Sequence, residues 1–180
     1  AVRAYWRSVR RSVEEAGLPQ ARLALDRAVE SETLQLANEP MYLLTREAAK
    51  RLKKAAESVG GSPKAWIAAC WQVLLWRMSN GDCAGSGFVL DGRTDVLLQD
   101  VIGPMMKYVP GRARNFEGLP LDRLVREVQL DMNDMETRQE FFTWGDNPAS
   151  TVDCLPYYFE YRGELWADKG THMGLELLAE

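Results

Sequence analysis

Histidine is nearly missing from this chain: 180 residues contain one, His172. It stands in KGTHMG with no Ser, Cys or acid at triad-like spacing, so it reads as a loop or surface residue. Cysteine is almost as scarce. Cys70, Cys83 and Cys154 are an odd count at wide, unpatterned spacings, with no C-x-x-C among them. That argues against a disulfide framework and a structural zinc site, and for reduced thiols in a cytoplasm; no metal is expected. No run approaches the ~18–20 apolar residues that a membrane span needs. The basic start AVRAYWRSVRRS lacks the apolar core of a signal peptide, so no membrane partner is expected. Positive charge is not in excess either, with 22 Lys and Arg against 26 Asp and Glu. A net charge of −4 gives a phosphate backbone no general attraction, and no nucleic-acid partner is expected. Internal repeats and low-complexity segments are absent.

What is present is ordinary globular material: 46% hydrophobic and 27% charged residues, enough to bury a core. Residues 1–180 suit one domain or one lobe of a larger one. Six tryptophans are a high load, and Trp6, Trp66, Trp71 and Trp76 fall in helix-like stretches, where core packing is the ordinary role. At the start, Trp6, Val9, Val13 and Ala16 recur at helical spacing before Gly17 and Pro19. Residues 20–32 read as linker, and β-favouring residues predict a strand over 33–44. Thr45 is placed to cap the helix REAAKRLKKAAESV, whose apolar stripe is Ala48, Leu52, Ala55 and Val59. Ser62 and Pro63 open a second helix that is apolar on nearly every face from Ala65 to Met78. That predicts burial on several sides, with Trp71 and Leu74 at the centre of the core.

Beyond it, CAGSGFVL reads as a strand ending at the turn DGR, DVLLQDVIG as a short helix or turn, and PMMKYVPGR as a further strand. LPLDRLVREVQLDMNDME is an amphipathic helix with Leu121, Leu124, Val128, Met132 and Met135 on one side. STVDCLPYYFEYR is an aromatic-rich strand, and GLELLAE the start of another. Helices and strands alternate, which gives an α/β class of the α+β type with a mixed β-sheet packed by helices.

This order resembles the C-terminal lobe of a nonribosomal peptide synthetase condensation domain, which has a chloramphenicol-acetyltransferase-like fold. AYWRS looks like the family's Tyr-Trp helix near the junction of its two lobes. The run YLLTREAAKRLKKAAESVGGSPKAWIAACWQVLLWRMSNGD is similar to its strand, helix, buried helix and S/T-G-x-D series. FVLDGRTD matches a strand ending in Gly-Arg. VIGPMMKYVPGR looks like the family's Ile-Gly-x-Phe-Val-Asn-Thr…Arg motif, with Met105, Met106, Lys107 and Tyr108 where Phe-Val-Asn-Thr is usual. TRQEFFTWGDNPAS stands for two further motifs run together, with Gln139-Glu140 for a Gln-Asp and Asn147-Pro148 for an Asn-Pro. The resemblance covers about residues 4–165. It makes 1–19 the lobe-junction helix and 33–165 the core of one lobe.

The resemblance implies an amide-forming acyltransferase that joins acyl and aminoacyl groups carried as thioesters on carrier proteins. No cofactor is bound directly; the carriers' phosphopantetheine arms are substrates. The family's His-His-x-x-x-Asp-Gly motif belongs to the N-terminal lobe and is not in these residues, so no catalytic residue is assigned here and the chain is expected to be an excised or split half. The partners implied are that N-terminal lobe and the carriers. Asp91, Gly92, Arg93 and Gly103 become interlobe or structural residues, with Arg93 pairing with the Asp of the missing motif through its two-pronged guanidinium. A surface turn Arg paired with Asp91 or Asp95 is the other reading. Ser86, Met105, Met106, Tyr108, Phe141 and Trp144 are candidates to line the substrate tunnel, or else are core and strand residues. The charged run REAAKRLKK is a solvated helix face or a carrier contact. For the chain itself, three readings stay open: an acceptor-side enzyme half, an ester-forming or epimerising relative on the same fold, and a non-catalytic carrier-binding lobe.

Overall fold

The structure, a computed structural model, describes residues 2–16, 41–79, 81, 86–93, 95–98, 100–143, 155, 157–161 and 173–176, with residues 41–43 and 173–176 by backbone alone. The expected linker at 20–32, the first part of the strand expected over 33–44, Cys83, Cys154, Trp144, Asn147, Pro148 and His172 lie outside the described residues.

Helix α1 (Val2–Glu15) buries Trp6, Val9 and Val13, as their spacing predicts. Strand β1 (Met41–Leu44) leads through Thr45 into α2 (Arg46–Ser58). The Thr45 hydroxyl accepts the Ala48 N–H at 3.2 Å, and the Ser62 hydroxyl accepts the Ala65 N–H at 3.1 Å to open α3 (Pro63–Met78). Each cap satisfies an amide that its helix leaves without a partner.

Helix α3 departs from its expected all-round burial. Ala65, Ala68, Ala69, Gln72 and Leu75 are buried, but Leu74 is 48% exposed and Cys70 is also exposed. The buried side consists mostly of short residues because α4 (Leu121–Arg138) packs across it. Without long side chains between them, the two backbones come close. Lys64 on α3 bonds Glu136 on α4 at 2.5 Å. The α4 stripe is Leu124, Val125, Val128, Met132 and Met135; Leu121, expected on it, sits at the first helical position and is exposed.

Strand β2 (Gly87–Leu90) is the middle strand of a three-stranded mixed sheet. It pairs antiparallel with β3 (Lys107–Pro110) and parallel with β4 (Tyr158–Phe159). A second, two-stranded sheet pairs β1 antiparallel with β5 (Met173–Glu176), Met41 opposite Glu176. In the three-stranded sheet Phe88, Val109 and Phe159 lie level on one face, and Phe88 and Phe159 meet edge-to-face at 5.9 Å. That face joins Trp6, Leu124, Val128, Met132 and Met135 in the main core. The two-residue alternation of strands puts Val89 and Tyr108 on the other face, where Tyr108 stacks edge-on against Tyr158 at 5.2 Å.

Beside this core runs an ionic cluster. Arg114, its side chain only 9% exposed, pairs with Asp131 and lies 3.5 Å from Glu127, both on α4. It also donates to Gln72 of α3 at 3.4 Å. The Tyr5 hydroxyl is pushed up from its ordinary pKa by burial, and further by Asp131 and Asp134.

Candidate functional site

Strand β2 ends at Leu90, and the chain turns through Asp91, Gly92 and Arg93. The Asp91 carboxylate accepts the Arg93 N–H at 3.0 Å, a local bond typical of Asp in turns. Gly92 takes φ +69°, and a Cβ there would lie 1.8 Å from the Met105 carbonyl oxygen. Both facts call for glycine. The positive φ disfavours any side chain, and the segment leading into β3 leaves no room for one. The Gly92 N–H donates to Gln139 Oε1 at 3.1 Å inside the protein.

Arg93 then reaches forward along the chain. Its Nη1 donates to the carbonyls of Leu98 at 2.9 Å and Val101 at 2.5 Å, and its Nη2 to that of Gly103 at 3.2 Å. Asp95 accepts the Leu97 N–H at 2.9 Å, at the start of the 3-10 turn Val96–Leu98. The guanidinium thus bonds backbone oxygens of the 98–103 loop; among the described residues it makes no ion pair with Asp91 or Asp95, the partners of the surface-turn reading. Gly103 enters the site through its carbonyl.

The loop held in this way is apolar and faces water. Val96, Leu97, Val101, Ile102 and Met106 are all exposed, with Leu97 at 83% and Ile102 at 100%. Monomeric proteins rarely leave so many large apolar side chains uncovered within one short segment.

The tunnel candidates divide. Met105 is half-buried beside Gly92, while Met106 and Tyr108 are exposed around the start of β3. Phe141, in the 3-10 turn Gln139–Phe141 that follows α4, is 61% exposed. Lys107 bonds the Gln139 carbonyl at 3.1 Å, which ties this turn to the start of β3. Ser86 is not brought there. It is buried at the opposite end of β2, its carbonyl accepting the Gly111 N–H at 2.9 Å and its hydroxyl without a hydrogen-bond partner among the described residues. Trp144 lies outside the described residues.

The sequence reading missed the part played by Gln139, which it matched only to a family motif. Gln139 extends the α4 stripe by one turn beyond Met135, and a polar residue at the end of an apolar stripe was the available signal. Gln139 sits where α4, the Gly92 turn and β3 meet, its side chain on the turn and its carbonyl on Lys107 of β3. Trp6 of α1 supports the same corner, its indole donating to the Arg138 carbonyl at 2.9 Å. Arg10 of α1 donates to the Thr143 carbonyl and stacks over Phe142 at 5.4 Å.

Chemically the arrangement presents a surface and holds a turn. Among the described residues there is no group of three or more His, Cys, Asp or Glu able to hold a metal ion. No helix of the described residues is long and apolar enough to cross a membrane.

A family model described as "Condensation domain" matches residues 1–142. One of the plipastatin synthase polypeptides of Bacillus subtilis (strain 168) is 30% identical over 98 residues, which is 53% of this chain and 4% of that protein. Another polypeptide of the same synthase is 26% identical over 102 residues, or 56% of this chain and 4% of its own length. Thus the chain spans only a small part of the curated relatives it matches. Among solved structures, the first condensation domain of the calcium-dependent antibiotic synthetase, in complex with a substrate analogue, superposes with TM-score 0.60 at 17% identity. It covers 97% of this chain and 42% of that one. A second structure of that domain gives TM-score 0.55 at 17% identity, over 97% of this chain and 40% of its own.

Proposed function

This chain belongs to the condensation-domain family, with the chloramphenicol-acetyltransferase-like fold, and from that premise we propose that it is the acceptor-side lobe of an amide-forming domain in nonribosomal peptide synthesis. The observation that carries this reading is the exposed apolar loop 96–106, held by Arg93 on its own carbonyls. A loop so fixed, and so apolar, suits a face that a complementary lobe covers.

In the reaction, the acceptor's amine attacks the donor's thioester carbonyl. A C–N bond forms as the C–S bond breaks; the amine loses a proton and the leaving thiolate gains one. Passing that proton needs a base held beside the amine, and the family's His motif is not in these 180 residues. The base is the complementary lobe's contribution. This lobe contributes shape: Met105, Met106, Tyr108 and Phe141 form an adaptable apolar wall for the carriers' phosphopantetheine arms. Arg93 supports the site rather than moving protons. Three of its N–H groups are taken by carbonyls, which leaves at most two, on Nε and Nη2, for an acidic partner on the other lobe.

A second reading is a non-catalytic lobe that recruits a carrier or partner domain. It is favoured by Lys107, whose ammonium bonds the Gln139 carbonyl at a position where the family usually has Asn.

The test is reconstitution. The chain alone, given loaded donor and acceptor carriers, should yield no product above uncatalysed aminolysis. Adding a lobe that bears the His motif should restore amide formation. Ester or epimerised product would redirect the assignment to a relative on the same fold. Tight association of the lobes with no product would favour the recruiting lobe. Product from the chain alone that is lost on His172→Ala would overturn the proposal.

A further inference from the structure

The turn that carries Arg93 is itself held from one side by a single buried amide. Gln139 is 1% exposed, and its side chain makes two bonds that fix its orientation. Oε1 accepts the Gly92 N–H at 3.1 Å, and Nε2 donates to the Glu136 carbonyl at 3.0 Å. Turning the amide over would set donor against donor and acceptor against acceptor, so only this orientation satisfies both partners. The Gln139 carbonyl also accepts twice, from Lys107 Nζ and from the Phe142 N–H, each at 3.1 Å. One residue therefore ties the end of α4 to the turn after β2 and to the start of β3.

We propose that Gln139 is a positioning residue: its side-chain oxygen sets the Gly92–Arg93 turn, and through Arg93 the shape of the apolar 96–106 loop. The chain of contacts is continuous. Gln139 Oε1 holds the Gly92 amide; the Met105 carbonyl lies where Gly92 could carry no Cβ; and the next residue, Arg93, bonds the carbonyls of Leu98, Val101 and Gly103. The Gly92 N–H is buried, so without Gln139 it loses its acceptor away from bulk water. A different turn at Gly92 would re-aim the guanidinium and release the carbonyls it now holds. This deepens the reading of the 96–106 face and rests on it only for what the loop is for.

Amide hydrogen exchange on the full chain tests the proposal with no carrier or second lobe present. A failure here leaves the amide-forming assignment standing, and a failure of that assignment leaves this result standing. In the wild type, the Gly92 amide should exchange slowly. In Gln139→Leu, which fills the space but accepts nothing, Gly92 and the 96–103 amides should exchange at least about tenfold faster while Ala65, Ala68 and Ala69 in α3 keep their rates. In Gln139→Glu, whose buried carboxyl in its protonated form keeps both an acceptor for Gly92 and an O–H donor for the Glu136 carbonyl, Gly92 should return toward wild-type protection. That rescue separates an acceptor role from simple filling of the core. Rapid Gly92 exchange in the wild type would overturn the proposal. So would a folded Gln139→Leu variant with an unchanged loop, or one in which α3 loosens as much as the loop. If Gln139→Leu does not fold, the wild-type rate and the Glu variant decide: slow exchange in both supports the proposal, and fast exchange in either overturns it.

Discussion

Replacing Gly92 by alanine should cost more than the same change at Gly118, although the two have nearly the same φ. Gly92 has φ +69° and Gly118 φ +67°, so both variants incur the same left-handed penalty of about 1–2 kcal/mol. They differ in what a methyl group meets. At Gly118 nothing lies within 4 Å, whereas at Gly92 the new carbon would lie 1.8 Å from the Met105 carbonyl oxygen. That oxygen belongs to backbone, so the segment entering β3 must move or the turn must open. Opening it breaks the buried bond from Gly92 to Gln139 and leaves donor and acceptor unpaired, a further loss of about 1–3 kcal/mol. The expected totals are about 2–5 kcal/mol for Gly92→Ala and about 1–2 kcal/mol for Gly118→Ala. Urea unfolding of the two variants and the wild type, followed by tryptophan fluorescence, measures both on one scale. Equal midpoints for the two variants would refute the close approach at Gly92 and, with it, the tightness of the turn.

On α3, Leu75→Ala should destabilise the fold by about 2–5 kcal/mol and the neighbouring Leu74→Ala by less than about 1 kcal/mol, because only Leu75 is buried; thermal or urea unfolding gives the order, and a larger loss at Leu74 would contradict the packing. Arg114→Met should cost about 3 kcal/mol by leaving Asp131, among the described residues, with only Arg112 at 3.6 Å, and adding Asp131→Asn should cost less than the separate losses combined. A strictly additive double-mutant cycle would show that the pair is not coupled. Although Cys70 lies at the surface of α3, the protein packed around its thiol partly desolvates it and raises it above its ordinary pKa, so less thiolate is present at a given pH than for a free thiol. Its alkylation at pH ~8, followed by peptide mass spectrometry, should be slower than that of glutathione and keep rising as the medium is made more alkaline; a faster reaction would contradict the shift.

The local elements were legible in the sequence because their signals are local. Thr45 and Ser62 cap the helices they were expected to cap, and Trp6, Val9 and Val13 face inward as their spacing predicts. Gly-Arg marked the end of β2 correctly. What did not follow was anything set by a partner distant in the chain. An all-round apolar α3 suggests full burial, but periodicity cannot say which faces find a neighbour, and Leu74 finds too few. The pairing of Met41–Leu44 with Met173–Glu176, in a sheet apart from β2, joins segments far apart in the chain that no local pattern connects. At the site, Arg93 was singled out for its chemistry, but its bonds to three nearby carbonyls depend on how the loop folds back. Gln139 drew attention through a motif, while its reach to Gly92 required the turn after β2 to pass the end of α4.

The central claim is that the 96–106 face is made to be covered by a complementary lobe, and Ile102 tests it most directly. This side chain is fully exposed in the chain alone, so Ile102→Asp should leave the melting temperature essentially unchanged. Binding of a lobe that bears the His motif, measured by calorimetry against wild type and the variant, should weaken at least about tenfold, since a carboxylate would then have to be buried against apolar surface. Equal affinity for the two would contradict the account.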